Sequence, residues 1–347
     1  MFKFLTVTCA VLFAASIAQA DYGLAKAFPK TAAGSYGIEI EALSDGRLAV
    51  WNGDTIYVES LARSGRFHAA GTGYAGDPGF MALAPDGHTL LLGSGFPGQL
   101  YLFDVNAPSD FEPDAVVATT AHYTGVFLTE NLVLLDKTTD DYTTCELAIL
   151  DLSAPSPATK TVMLKPPAVD MPVGGFAASA QLAVDRLQST VYAMSVVYDS
   201  SYMVVANELK RIPVSTLISA YNADHVLDWE VDATSVGGPM AYQAGGPAGV
   251  MGGGTVVIGG FGGIQLVDSA TGAVEETLMP AGLDYYGAFC NSYTGDIYAI
   301  VADPVDYSMD VVYAPTEALE ALPALSGAGL ALLVALLAAA GVARKRK

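Results

Sequence analysis

Short, mostly apolar runs occur with turn residues at six places along the chain, each long enough for one β-strand. Such runs bounded by turn residues are typical of β-strands. The spacings are 42, 42, 59, 65 and 41 residues, measured from Gly46, His88, Glu130, Ser189, Gly254 and Gly295. The runs are 46–51, 88–93, 132–135, 191–194, 255–258 and 296–300.

Each run is flanked by further strand-like segments, and residues 99–109 and 146–156 are near copies of each other. Four strands per unit at a period of 40 to 50 residues predict an all-β fold, a β-propeller of six four-stranded blades. A seventh unit within 202–232 remains open, as do a β-sandwich and a β-helix. The last unit lacks an outer strand, which residues 21–35 are expected to supply. A short helix is expected at 217–221.

Turn residues between the first and second strands of two units carry a resemblance to a known family. Pro85-Asp86-Gly87 occupies this place in one unit, and Ser44-Asp45-Gly46 in another. Over residues 35–314 the pattern resembles the YVTN-type and related bacterial propellers. The resemblance implies the fold and no single activity, because propellers host many functions.

The two ends of the chain predict export and anchoring. Lys3, an apolar core and Ala18-Gln19-Ala20 are typical of a cleaved signal peptide, so the mature chain is expected to begin at Asp21. Residues 321–343 carry no charge and are long enough for a transmembrane helix, with a basic tail on the cytoplasmic side. The predicted domains are a signal peptide (1–20), a propeller (21–316), a stalk (317–326) and an anchor (327–347).

The C-terminal segment also resembles the IPTL-CTERM sorting signals of Gram-negative bacteria, whose pattern is Ile-Pro-Thr-Leu-x-x-Trp-Gly. Ala328 stands where that family has Trp. The resemblance implies a membrane partner, an exosortase-like processing protease, and a place in the cell envelope or outside the cell after tail cleavage. The matching residues are Pro323, Leu325 and Gly329, followed by the basic Arg344, Lys345 and Arg346.

The charge of the exported body narrows the range of partners. Residues 21–320 hold 36 acidic and 11 basic residues, a formal charge of −25. Such a body repels phosphate backbones and anionic membrane surfaces, so nucleic acid is excluded as a partner, while cationic ligands and divalent metals stay open. Cys145 and Cys290 are expected to be buried free thiols rather than a disulfide.

No catalytic motif or cofactor motif stands out. The four histidines, at 68, 88, 122 and 225, lack zinc-ligand spacing, and no Gly-x-Ser-x-Gly elbow is present. Glu39 and Glu41 are the acids expected near the central channel. No cofactor is predicted, although acidic loops leave calcium open.

Acidic and aromatic residues recur in the loops between the second and third strands of three units. These loops emerge on one face of a propeller, where carboxylates can hold calcium and tyrosines can stack on sugars. The structural alternative is that they are solvated turn residues. The predicted rim set is Asp136, Asp140, Asp141, Tyr142, Tyr198, Asp199, Tyr202, Asp303, Asp306 and Tyr307.

The function predicted from these features is an exported surface propeller that binds a protein or glycan ligand on one rim. An extracellular hydrolase or lyase that uses channel carboxylates is the alternative, and a structural protein without a specific ligand is a third hypothesis. Two acids with shifted pKa values in one deep pocket would favour the enzyme, and a broad tyrosine-rich rim would favour the binding module.

Overall fold

Six antiparallel sheets follow one another along the chain in a computed structural model of the protein. We refer to the sheets as blades 1 to 6, in chain order. The structure describes residues 23–24, 29, 37–53, 55–72, 77–96, 99–105, 115–118, 124–139, 141–236, 245–251, 254–260, 263–278, 284–303, 305–306 and 308–314.

The first three blades each begin with an inner strand and proceed outward through hairpins. Blade 1 contains β2 (Glu39–Ala42), β3 (Leu48–Trp51), β4 (Thr55–Glu59) and β5 (Phe67–Thr72). Blade 2 contains β6 (Asp77–Leu83), β7 (Thr89–Phe96), β8 (Gln99–Asp104) and β9 (Ala115–Ala118). Blade 3 contains β10 (Thr124–Phe127), β11 (Leu132–Thr138), β12 (Cys145–Asp151) and β13 (Thr159–Lys165).

The last three blades continue the same plan, and the inner position of blade 4 is shared by two short strands. Blade 4 contains β14 (Phe176–Ala178), β15 (Ala183–Asp185), β16 (Thr190–Tyr198) and β17 (Val204–Pro213). Blade 5 contains β20 (Gly245–Met251), β21 (Thr255–Gly260), β22 (Gly263–Asp268) and β23 (Val274–Leu278). Blade 6 contains β24 (Asp284–Cys290), β25 (Ile297–Ala302) and β26 (Met309–Ala314).

The mostly apolar runs are explained by packing on both faces of each blade. Along β3, Ala49 and Trp51 join an apolar cluster with blade 2, whereas Leu48 and Val50 join one with blade 6. Neighbouring side chains of a strand point to opposite faces, so both faces of a blade must be apolar. Six such clusters of buried residues occur in the described part of the chain, one between each pair of adjacent blades.

Blade 6 is completed by the opposite end of the chain, as the sequence predicted. Strand β1 (Gly23–Leu24) pairs antiparallel with β26, in the register Gly23 to Tyr313 and Leu24 to Val312. The N-terminal segment thus covers the outer edge of the last blade and ties the two ends of the propeller together.

Blades 3 and 4 depart from the predicted four strands. The stretch considered as a seventh unit instead contains β17 and a helical insertion, with α1 (Val214–Ala223) and α2 (Trp229–Asp232). Strand β18 (Leu227–Asp228) pairs with the outer edge of blade 3, and β19 (Thr234–Ser235) pairs with β17, so each blade gains a fifth strand. The insertion therefore contributes strands to both blade 3 and blade 4 and connects them.

Several smaller predictions can be compared with the structure. Helix α1 covers the predicted helical segment, and Cys145 and Cys290 are buried free cysteines as expected. Neither helix of the described residues has the length and apolar character needed to cross a bilayer. The predicted signal peptide, stalk, anchor and sorting residues lie outside the described part of the chain.

Candidate functional site

The inner strands of all six blades line a cavity of about 120 Å³ at the centre of the ring. Its ionisable lining comes from three blades: Glu39 and Glu41 of blade 1, Arg186 beside β15, and Tyr293 after β24. We call this set the channel site. Convergent polar groups in a concave site are a common feature of ligand sites in proteins, and the channel site shows this feature.

The two glutamates face the channel because they are alternate residues of the same inner strand. Glu41 accepts hydrogen bonds from the backbone N–H groups of Ala42 at 2.8 Å and Leu83 at 3.3 Å. Arg186 donates from Nη2 to the carbonyl oxygen of Leu83 at 2.7 Å, which places its guanidinium beside the same strand end. Blades 1, 2 and 4 therefore position the charged groups jointly.

Burial shifts the pKa of both glutamates strongly upward. It raises the pKa of Glu39 to about 8, with a further contribution from the charge of Glu41. Burial raises the pKa of Glu41 to about 7, against the opposing effects of its backbone hydrogen bonds and the charge of Arg186. Burial also raises the pKa of Tyr293. At neutral pH the channel site therefore holds one protonated acid beside one that can donate or accept a proton.

A second candidate surface lies where the loop between β11 and β12 meets blade 4. The ring of Phe176 stacks on Tyr198, with centroids 5.0 Å apart and an angle of 11° between the rings. Tyr202 meets the same Phe176 ring edge-on at 5.4 Å. The carbonyl of Tyr142 accepts a hydrogen bond from the Ala177 N–H at 2.8 Å. We call Tyr142, Phe176, Tyr198 and Tyr202 the aromatic rim.

Two members of the aromatic rim are held open to solvent by unusual backbone. Tyr142 is 60% exposed and Tyr202 is 77% exposed. Both adopt left-handed conformations, with φ of 57° and 62°, which are uncommon for bulky residues. Met203, in the same loop as Tyr202, is 57% exposed, and Val173, in the segment that leads into β14, is 99% exposed. An exposed apolar patch of this kind marks interaction surfaces, and strained residues cluster at functional sites.

The carboxylates predicted for the rim mostly stabilise their own turns. Asp141 accepts from Thr139 Oγ1 at 2.7 Å and from the N–H and hydroxyl of Thr143, and these hydrogen bonds lower its pKa. Asp199 accepts from the N–H groups of Ser201 and Met203. Asx-type turns of this kind engage Oδ1 of each carboxylate within its own loop.

The remaining members of the predicted rim set lie elsewhere. Asp136 is a correction: it belongs to β11 and is fully buried against Lys165, because its side chain points into the interface with blade 4. Asp303 and Asp306 bond to the N–H groups of Val305 and Ser308 in blade 6, which blade 5 separates from the aromatic rim. Asp140 and Tyr307 lie outside the described residues.

Sequence reasoning missed Phe176, Arg186 and Tyr293. Arg186 directly follows an inner strand and is the one basic residue between Lys165 and Lys210, a signal that was available in the sequence. Phe176 follows the turn residues Gly174 and Gly175, but nothing local shows its partner, and only its pairing with Tyr198 brings it to the rim. Among the described residues no group of three or more His, Cys, Asp or Glu side chains is arranged to hold a metal ion.

The fold and its closure define a six-bladed β-propeller protein. Residues 320–347 match the IPTL-CTERM motif, which indicates an exported, cell-surface protein with a C-terminal sorting signal. A comparison with curated protein sequences finds no match.

One solved structure agrees with this assignment of the fold. The β-propeller domain of Cps50 (Swd1) from Myceliophteria thermophila is similar at a TM-score of 0.51 and 10% identity, covering 85% of this chain and 100% of that one. A chain of a nidogen/laminin complex is similar at a TM-score of 0.48 and 10% identity, covering 70% and 80%. At this identity the first likeness concerns the fold alone.

Proposed function

We propose that this protein is a surface-displayed binding module whose aromatic rim contacts a carbohydrate ligand. The observation that carries the proposal is the pair of solvent-exposed tyrosines, Tyr142 and Tyr202, held in left-handed turns on adjacent blades. Aromatic faces pack against the apolar faces of sugar rings while their hydroxyls remain free to hydrogen bond. The acidic body disfavours polyanionic ligands, so a neutral or cationic glycan is the matching class.

Titration with soluble neutral and amino-sugar oligosaccharides tests this proposal. Replacing Tyr142 or Tyr202 by Ala is expected to weaken glycan binding roughly tenfold each, the equivalent of about 1.4 kcal/mol. Val305→Ala is the matched control, because Val305 is 87% exposed in the corresponding loop of blade 6. Equal affinity of the Tyr142, Tyr202 and Val305 variants for the oligosaccharides would contradict a role for the aromatic rim. Binding to proteins and to none of the oligosaccharides would contradict a carbohydrate ligand.

Display on the cell surface is the other part of this proposal. The IPTL-CTERM match supports it, because the matched residues 320–347 contain the whole predicted anchor. Deleting residues 321–347 is expected to move the protein from the membrane fraction to the medium. A truncated protein that stays in the membrane fraction would contradict the assignment of these residues as a membrane anchor.

A second candidate function is acid–base catalysis at the channel site, as in a hydrolase or lyase. The specific observation is that Glu39 and Glu41 have raised pKa values in one pocket, and this combination is enriched at catalytic sites. If the protein cleaves the glycan that it binds, Glu39→Gln and Glu41→Gln should abolish product release while leaving rim affinity unchanged. Product release by both variants would exclude this function.

A further inference from the structure

A lysine and an aspartate are buried against each other at the interface of blades 3 and 4, and neither belongs to the channel site or to the aromatic rim. Asp136 lies on β11 and Lys165 ends β13, with β12 between them. Lys165 Nζ contacts Asp136 Oδ2, and both side chains have no exposed surface. Neither the channel site nor the aromatic rim uses this pair.

The surroundings provide partners for some of the polar atoms of the pair and not for others. Lys165 Nζ also donates to the carbonyl oxygen of Met194 at 2.8 Å, and the N–H of Ala180 lies 3.4 Å from Asp136 Oδ2. Asp136 Oδ1 has no hydrogen-bond partner among the described residues. A buried carboxylate oxygen without a partner is costly, so the charged form of this pair is incompletely compensated.

Burial also favours the neutral form of the Asp136 carboxyl group. Burial raises the pKa of Asp136 to about 6, even though the charge of Lys165 opposes the shift. Transfer of one proton from the ammonium to the carboxylate gives a neutral amine and a neutral carboxylic acid in contact. These are the reactive forms for making an amide, because the nitrogen then has a free lone pair.

We propose that Lys165 and Asp136 condense into an intramolecular isopeptide bond in the folded protein. The lone pair of Nζ forms a bond to Cγ of Asp136, and the bond from Cγ to Oδ1 breaks. Oδ1 leaves as water, with the proton of the acid and one proton from the nitrogen. No oxidant, reductant or further reactant is required.

The product fits the hydrogen-bond partners already in place. The amide N–H donates to the Met194 carbonyl, and the amide oxygen, formerly Oδ2, accepts from the Ala180 N–H. The oxygen that leaves is the one without a partner. Condensation therefore removes two buried charges and an unsatisfied acceptor in one step.

The bond would link the second and fourth strands of blade 3 covalently. It closes the chain between residues 136 and 165 into a loop, which restricts the unfolded chain in the same way as a disulfide. Unlike a disulfide it cannot be reduced, which suits an exported surface domain.

Peptide mass spectrometry of the purified full chain tests the proposal directly. Trypsin is expected to release residues 67–137 and 161–186 as one linked species, lighter than the sum of the two peptides by one water molecule. Fragment ions should place the link at Asp136 and Lys165. Lys165→Arg is the matched control, because arginine keeps a cation for Asp136 and forms no such amide, so both peptides should appear separately.

A second measurement keeps the test independent of whether the variant folds. Chain that is recovered unfolded and kept in urea should give the two peptides separately after digestion. The same chain, refolded before digestion, should give the linked species. Unlinked peptides of unmodified mass from wild-type protein that melts cooperatively would overturn the proposal. The linked species in protein never allowed to fold would also overturn it, because the bond would then not depend on the buried geometry.

Discussion

Arg63 of blade 1 donates its Nε–H to Oδ2 of Asp296 in blade 6, at a distance of 2.7 Å. The carboxylate is fully buried, while the arginine keeps about a third of its surface exposed. Arg63 also donates to the carbonyl oxygen of Thr294, and the Thr294 hydroxyl donates to the same Asp296 oxygen. A charged contact therefore joins the first and last blades, in addition to the pairing of the N-terminal strand β1 with β26 inside blade 6.

Replacing Arg63 by Ala is expected to lower the free energy of unfolding by about 2 kcal/mol, because a buried carboxylate loses its cation. Chemical denaturation measures the effect. Arg47→Ala is the control, since the Arg47–Asp45 pair is solvent-exposed and should contribute under about 0.5 kcal/mol. The double variant Arg63→Ala/Asp296→Asn should recover part of the loss, and no recovery would argue against a charge effect.

The pairing of Gly23 and Leu24 with β26 predicts that the N-terminus stabilises the ring. Deleting residues 21–24 from the mature chain should lower the melting temperature by several degrees and promote self-association, because a sheet edge becomes unpaired. Thermal melting and size-exclusion chromatography measure both effects. Changing Gly23 and Leu24 to Ala keeps the backbone, so that variant should remain monomeric. An identical melting temperature for the deletion would show that closure by β1 adds nothing.

Gly93 is required by the close approach of a neighbouring ring. A Cβ atom at this position would lie 2.0 Å from Cε1 of Phe80. Gly93→Ala should therefore cost about 1 to 3 kcal/mol of stability through overpacking. At Gly287 a Cβ would lie 3.6 Å from Ile300 Cδ1, an ordinary contact, so Gly287→Ala is the matched control. Equal denaturation midpoints for the two variants would contradict this packing.

The channel site predicts a specific dependence of stability on pH. The folded pKa values of Glu39 and Glu41, about 8 and about 7, lie above their value of 4.5 in the unfolded chain. The folded protein therefore holds more protons, and stability is highest below about pH 4.5 for these groups and falls as pH rises through 7 and 8. Because Glu39 and Glu41 each keep part of their surface exposed, the loss is expected to be on the order of 2 kcal/mol.

Thermal melting from pH 5 to pH 9 checks this dependence. The measured quantity is the difference in melting temperature between the wild type and a variant without the two glutamates. Glu39→Gln/Glu41→Gln should flatten the profile, because neither side chain can then ionise. Glu130→Gln, in an exposed turn, should keep the wild-type slope. Parallel profiles for the double variant and the wild type would exclude the channel acids as the cause.

Much of the fold was predictable because propeller blades repeat a local pattern. The apolar runs at 46–51 and 296–300 marked the second strands of the first and last blades, and the missing outer strand pointed to the N-terminus. The extra strands of blades 3 and 4 were not predictable. Strand β18 has two residues and exists only because the insertion carrying Trp229 folds back on β13, a long-range contact that leaves no periodic signal.

The candidate sites were predictable only in part. Turn residues such as Asp141 and Tyr142 were correctly placed in a loop between the second and third strands of their blade, but Asp136, five positions earlier, lies inside a strand. A local pattern does not show where a strand ends when polar residues continue into a buried face. Only the packing of blade 4 against blade 3 explains why that aspartate faces Lys165 instead of solvent.

The order of residues by itself determined the repeat, the closing strand and the sorting motif, because each depends on segments that are contiguous or regularly spaced, whereas the choice of six blades over seven needed the tertiary structure. The tertiary structure alone decided which side chains meet: Glu41 with Arg186 in the channel, Phe176 with Tyr198 and Tyr202 on the rim, and Asp136 with Lys165 between blades. The physical reason is that radial packing brings together residues far apart in sequence, and burial then shifts their protonation.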